Sequence, residues 1–209
     1  MQVAIDGPAA SGKTSLARAI AARFGFMLVE TGKMYRAVAL GLDRGLDLAT
    51  IDVTMNDAGR ILLNGEDVSD ILHTPQLDQG SSRVATRPEV RELLVRLQRE
   101  IAQGRDVVME GRDIGTVVLP NADVKIFLEA SAEERAHRRA SERHETRIDE
   151  TLQAIISRDT RDQTRTIAPL NPAKDAIIIH TDNKSLAEVV SEAIALVEER
   201  FHTGDTAAK

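Results

Sequence analysis

Two hydrophobic periodicities alternate along the chain. Short unbroken apolar runs occur at 2–6 (QVAID), 26–29, 106–109 (DVVM), 124–128 (VKIFL) and 176–179 (AIII). Runs of this length, bounded by Gly, Pro or polar residues, read as strands buried on both faces. Between them, apolar positions recur at helical spacing. Leu16, Ala17, Ile20 and Ala21 share one face of a segment running from Lys13 to Phe24, and Gly25 stands where a left-handed glycine would stop it. Helices are also expected over 32–44, 47–59, 75–85 and 88–103, the last with Pro88 at a first helical position. Ser131 can cap another helix, with Glu133 and Glu134 in its first turn. A very polar stretch, 138–166, keeps helical spacing at Ile148, Leu152, Ile155 and Ile156. Residues 185–201 form a clean amphipathic pattern, and 204–209 read as a frayed tail.

Five buried strands joined by helical crossovers predict an α/β fold, a five-stranded parallel sheet with helices on both faces. Two segments stand outside that rhythm. Asn64-Gly65, between β-prone pieces, is a hairpin signal. A hairpin interrupting an α/β chain reads as an insertion, here 46–102 with its neighbouring helices. The second is an Arg-rich stretch, 138–168. The expected division is a core of 1–45, 103–137 and 169–209, an inserted subdomain at 46–102 and a helical lid at 138–168. Both outliers would flank a site at the strand C-termini.

Composition narrows the chemistry. The 209 residues include no Cys, which removes disulfides, zinc-thiolate sites and thiol nucleophiles. Aromatics are Phe24, Phe26, Phe127, Phe201 and the single Tyr35, too few for a base-stacking platform. No apolar run approaches the roughly 20 residues that span a bilayer, and the N-terminus lacks a signal-peptide pattern. A cytoplasmic protein is expected. The net charge is −6, yet 21 Arg stand against 6 Lys, and 15 of those Arg lie between Arg83 and Arg165. An acidic chain with concentrated Arg suits small anions better than nucleic acid, because guanidinium groups grip phosphate bidentately. Most of these Arg are expected on solvated helix faces.

The strongest motif follows the first strand. Gly7-Pro8-Ala9-Ala10-Ser11-Gly12-Lys13-Thr14 fits the phosphate-binding pattern G-x-x-x-x-G-K-[ST], with Ser15 next on the helix. Glycines let the chain wrap so that backbone N–H groups face phosphates, and the helix N-terminus adds its positive end. Lys13 can reach the β- and γ-phosphates of ATP, and the Thr14 hydroxyl can coordinate Mg²⁺. Its position between a strand and a helix is the context this chemistry demands. The loop does not name the reaction. Asn183-Lys184-Ser185-Leu186 lacks the Asp of a guanine-reading motif, and no long strand ends in paired acids. What remains is a small kinase whose second substrate is an anion. A regulatory ATP-binding module without transfer activity is the rival from another class.

Three clusters can build the acceptor site. The first is Glu30-Thr31-Gly32-Lys33-Met34-Tyr35-Arg36 after the second strand, and the second is Glu110-Gly111-Arg112-Asp113-Ile114-Gly115-Thr116 after the third. In the third, Arg158, Arg161, Asp162 and Arg165 occupy one helical face. That spacing also suits an ion-paired surface helix. Beside a P-loop and two other anion-ready clusters, the binding role is preferred.

With these motifs in view, the chain resembles the bacterial-type cytidylate kinases. The likeness runs nearly end to end, through IDGPAASGKT, ETGKMYRAV, GEDVSDIL, PEVRELLVRLQRE, EGRDIGTVVLP and RDTRDQTRTIAPL. It implies transfer of the γ-phosphoryl of ATP, with Mg²⁺, to CMP or dCMP. From the charge, the few aromatics and the absence of an apolar interface stripe or spanning run, a cytoplasmic monomer without nucleic-acid or membrane partners is expected. Carried over by position, Arg36, Arg112 and Arg158 are implied to grip the acceptor phosphate. Ser82, Arg91 and Asp113 are implied to read cytosine, and Thr31, Tyr35, Asp162 and Arg165 to contact the sugar and wall. Arg138 and Arg161 are implied to reach the ATP phosphates on lid closure. Glu30, His73, Glu110 and Thr164 depart from the family pattern. Kinases of the same fold for UMP, AMP or shikimate are the nearest alternative.

Overall fold

The computed structural model describes residues 1–144 and 146–206. Its core strands are β1 (Gln2–Asp6), β2 (Met27–Glu30), β6 (Val107–Gly111), β7 (Val124–Glu129) and β8 (Ile177–His180). They form one parallel sheet in the order β2-β6-β1-β7-β8. The expected fold class is therefore observed, and each predicted strand falls within one or two residues of its place. In β1, Val3 and Ile5 pack with Leu16 and Ile20 of α1 (Lys13–Phe24) and with Val189 and Val197 of α7 (Leu186–Thr206). Ala4, between them, joins the opposite cluster with Met34 and Val38 of α2 (Thr31–Asp43) and Leu94 of α4 (Pro88–Ala102). Successive residues thus feed two separate cores, which is why the run shows no alternation.

The predicted helix over 47–59 does not form. Leu48–Thr50 makes one 3₁₀ turn, capped by Asp47, and the chain then enters β3 (Val53–Met55). That strand pairs antiparallel with β4 (Ile61–Leu63), which pairs with β5 (Glu66–Asp67). Ile51 and Val53 enter the α2 core cluster together with Ile61 and Leu63 of the paired strand. The Asn64-Gly65 signal is realised as the β4–β5 turn, with both residues at positive φ (48° and 83°). Helix α3 (Pro75–Val84) follows.

The Arg-rich stretch divides between the end of α5 (Ala132–Arg143) and α6 (Ile148–Thr164). Of its expected apolar face only Ile155 is buried; Ile148 and Ile156 are exposed, at 37% and 40%. The segment closes over polar groups, so it has little apolar surface to cover. Ser131 does cap α5, its hydroxyl accepting from Glu134 N at 3.3 Å while bonding Asp182 at 2.8 Å. Replacing Ser131 by Ala is expected to lower stability by about 1 kcal/mol in denaturant unfolding. No loss would remove the cap's role. At the C-terminus, helix α7 continues to Thr206, so 204–206 are helical rather than frayed; 207–209 lie outside the described residues. Among the described residues, no helix is long and apolar enough to cross a membrane.

Candidate active site

Strands β6 and β7 flank β1 on opposite sides, so the loop after β1 emerges where the winding of the sheet reverses, the usual binding crevice of such folds. The loop is held close to the sheet there. A Cβ on Gly7 (φ +149°) would meet the Leu128 carbonyl at 2.5 Å. Ala9 through Ser15 then line a cavity of about 840 Å³, with Gly7 and Pro8 behind them. Lys13 Nζ folds back over the loop, donating to Pro8 O at 2.5 Å and Ser11 Oγ at 3.3 Å. Burial, then the nearby Arg112 charge, pushes its ammonium well below the ordinary lysine range. The Glu110 and Asp6 carboxylates nearby offset this only in part.

Two further loops complete the floor. Thr31 Oγ1 donates to Glu110 O at 2.8 Å, tying the second-strand cluster to the third. Gly111 sits under this bond; a Cβ there would lie 2.8 Å from Thr31 Oγ1. After Asp113 the backbone makes one wide π-helical turn, Ile114–Val118, a geometry that often marks functional sites. The Asp6 carboxylate receives Ile114 N and Gly115 N at 2.8 and 2.7 Å and so fixes that turn to the end of β1. Burial pushes Asp6 up to about 6 despite these two bonds.

Apart from Thr31, the implied base and sugar residues fall into two bonded groups, one around Asp113 and one around Asp162. Arg91 pairs with Asp113 and donates from Nη1 to Tyr35 OH at 3.3 Å, while Arg165 Nη2 donates to the other Asp113 oxygen at 3.0 Å. Burial raises the Tyr35 phenol to about 12, keeping it protonated. Ser82 Oγ donates to Asp162 at 2.8 Å, and Arg112 Nε donates to the second Asp162 oxygen at 3.0 Å. Arg91 sits behind the cavity wall, whereas Thr31, Tyr35, Ser82, Asp113, Asp162 and Arg165 line it.

The phosphate-grip candidates do converge. Arg36, Arg112 and Arg158 all line the cavity. Arg158 is distinctive, because its buried Nε has no hydrogen-bond partner and Asp162 stands 3.8 Å away, outside hydrogen-bond range. Burial and the Arg112 charge lower Arg158 to about 10. Such a donor is stabilised by an anion.

The two arginines implied to reach the ATP phosphates on closure, Arg138 and Arg161, do not line the cavity in this structure. Arg138 turns out of the cavity, bonding Glu134 at 3.0 Å and the Thr181 hydroxyl and carbonyl at 2.9 and 2.7 Å. Arg161 donates to Gln79 at 3.3 Å and Ser82 at 3.0 Å, on α3. Each is captured by an acceptor close to its own helix, so neither extends to the phosphate loop. The contact of α5 and α6 with that loop is made by residues the sequence did not single out. Asp159 accepts from Ala9 N at 3.3 Å, and Arg135 Nη1 bridges Asp159 at 2.5 Å and Ala9 O at 3.0 Å. Also missed is Asp78, the centre of four arginines. Asp159 lies inside the RDTRDQT motif but is not singled out there, and all three residues find these partners 24 or more positions away in sequence.

Thr14 Oγ1 donates to Glu110 at 3.2 Å, at the cavity edge. Hard oxygens of this kind suit Mg²⁺. Among the described residues no three His, Cys, Asp or Glu side chains form a metal-holding group. The donor set therefore fits an ion held by few protein oxygens and completed by phosphates and water.

The fold recurs in solved kinases. Shikimate kinase from Bacteroides thetaiotaomicron superposes with a TM-score of 0.53 over 95% of this chain and 98% of that one, at 13% identity. A gluconokinase from Sinorhizobium meliloti gives 0.50 over 98% and 96%, at 17% identity. At such identity the likeness is of fold alone. Sequence goes further. The cytidylate kinase of Thermotoga neapolitana is 45% identical over 96% of this chain and 98% of its own. That of Carboxydothermus hydrogenoformans is 42% identical over 94% and 97%. The cytidylate kinase family profile matches residues 3–199, spanning the phosphate loop, the small sheet and the Arg-rich helices together. A likeness this complete includes the segments that distinguish one small kinase from another, so the chain belongs to the cytidylate kinase family.

Proposed function

We propose that the chain transfers the γ-phosphoryl group of ATP to CMP or dCMP, giving ADP and the corresponding diphosphate. The observation that carries this reading is Arg158. A guanidinium whose buried Nε has no hydrogen-bond partner, beside Arg36 and Arg112 in one cavity with the P-loop, calls for a second anion opposite ATP. Residues 1–45, 103–137 and 169–209 form the core in this reading, 46–102 the monophosphate subdomain and 138–168 the lid. The enzyme works as a cytoplasmic monomer, without nucleic acid.

The chemistry follows from charge. The acceptor is already an anionic phosphate, so no general base is required. Backbone N–H groups of the loop and Lys13 hold the ATP phosphates. Thr14, with Glu110 beside it, would hold Mg²⁺, which supplies charge neutralisation across the phosphates when bound. Arg36, Arg112 and Arg158 bring the acceptor into line and offset the charge that gathers on it. Asp113, held from behind by Arg91, accepts from the cytosine 4-amino group, and Ser82 reads the base from the cavity wall. Closure of α5 and α6 excludes water that would hydrolyse ATP.

A coupled ADP-release assay over CMP, dCMP, UMP, AMP and shikimate tests this reading. Turnover is expected to be highest with CMP or dCMP. Faster turnover with UMP, AMP or shikimate would overturn the substrate assignment, and no ADP release with any acceptor would favour a non-transferring module.

A further inference from the structure

We infer that Asp78 is a positioning residue for the acceptor-phosphate site: its single carboxylate sets the geometry of arginines drawn from both sides of the cavity. This rests on the phosphoryl-transfer reading above.

Asp78 sits in the first turns of α3, whose start is fixed by Thr74, the hydroxyl accepting from Leu77 N at 3.2 Å. Its side chain is 8% exposed. One oxygen, Oδ1, receives Arg36 Nε at 2.9 Å and Nη2 at 2.8 Å, and Arg158 Nη1 stands 3.8 Å from it. The other, Oδ2, takes both Arg139 and Arg143 of α5. One carboxylate therefore joins α2, α5 and α6. Burial alone would raise its pKa; Arg36, Arg139, Arg158 and Arg143 outweigh that and hold it far below the ordinary carboxylate range.

Charge and geometry then have different consequences. Four guanidinium groups share this one carboxylate, Arg139 pairing also with Glu142 at 3.4 Å and Arg158 standing 3.8 Å from Asp162. Arg36, Arg139, Arg143 and Arg158 all still line the cavity, where they can attract a phosphate dianion. Arg36 uses its Nε–Nη2 edge on Asp78, while its Nη1 lies beside Gly32 in the cavity wall, 3.6 Å from where a Cβ there would stand. The occupied edge fixes the plane of the group, and the remaining donors stay available. Removing the carboxylate increases the net positive charge but releases four long side chains from a common anchor. Attraction for the acceptor survives; alignment does not.

The test is steady-state turnover of the full chain with CMP varied at saturating ATP. Asp78→Asn is expected to lower kcat between about tenfold and a hundredfold, with KM for CMP unchanged or lower. Asp78→Glu restores the carboxylate and recovers most of kcat. A kcat within about twofold of the parent, or a raised KM with kcat retained, overturns the inference, as does failure of the Glu variant to recover. Hydrogen exchange of the α5 amides in the nucleotide-free chain is the second arm. It is expected to accelerate in Asp78→Asn and return in Asp78→Glu; unchanged exchange removes the link to α5. Should Asp78→Asn not fold, Arg139→Gln removes one contact of the same carboxylate. A fall in its kcat at unchanged KM supports the inference, and an unaltered kcat opposes it. A parent that prefers another monophosphate sinks the CMP assignment alone, because the same comparison is then read with that acceptor.

Discussion

Lys13→Ala is expected to lower kcat for diphosphate formation by at least about 10²-fold with the fold intact. The ammonium is buried in the P-loop, held only by Pro8 O and Ser11 Oγ, and its charge is disfavoured by burial and by Arg112. Nothing else in the loop can place a positive charge between the nucleotide phosphates. The substitution breaks no hydrogen bond to a carboxylate, and the loss of its attraction to Glu110 and Asp6 is offset by relief from burial and from the Arg112 charge, so thermal unfolding should move little while turnover collapses. The two measurements belong together: retained turnover would refute the role of the loop, and a large fall in Tm would mean that Lys13 holds the loop rather than the nucleotide.

Asp113→Ala is expected to act on both stability and activity. The carboxylate neutralises Arg91 and Arg165, which are 4% and 8% exposed. Taking away one partner leaves two buried guanidinium groups uncompensated, and breaking such a pair costs about 3–5 kcal/mol. Denaturant unfolding reads that loss directly. The variant also lacks the acceptor proposed for the cytosine amino group. With folded protein, kcat/KM for CMP should fall by more than about tenfold, the scale of a buried hydrogen bond to a charged group, and the preference for CMP over UMP should weaken. A stable variant with unchanged preference would leave Asp113 outside base recognition.

How far the sequence anticipated the molecule depends on the range over which each residue acts. The P-loop was legible because its residues act locally, through spacing and glycine conformation. The five core strands were legible because burial on both faces leaves an unbroken apolar run, as in Val107 to Met109. β3 was not: Val53-Thr54-Met55 is too short to declare itself, and it becomes a strand because β4 is there to pair with it. The reach of the arginines was least legible. Arg138 and Arg161 have the same residue type and similar helical settings as Arg158, yet neighbouring acceptors capture them, while Arg158 keeps an unmet donor.

The sequence by itself determined the α/β class, the phosphate loop and the three clusters that edge the cavity, since each rests on local spacing or periodic burial. Tertiary structure alone decided which charges meet. Asp78 gathers Arg36, Arg139, Arg143 and Arg158, and Asp159 with Arg135 clasps Ala9, across 24 to 150 residues of chain. A side chain's charge is written in the sequence, but its partner is chosen by which groups the fold buries together, where pairing is enforced by the cost of leaving a charge unmet.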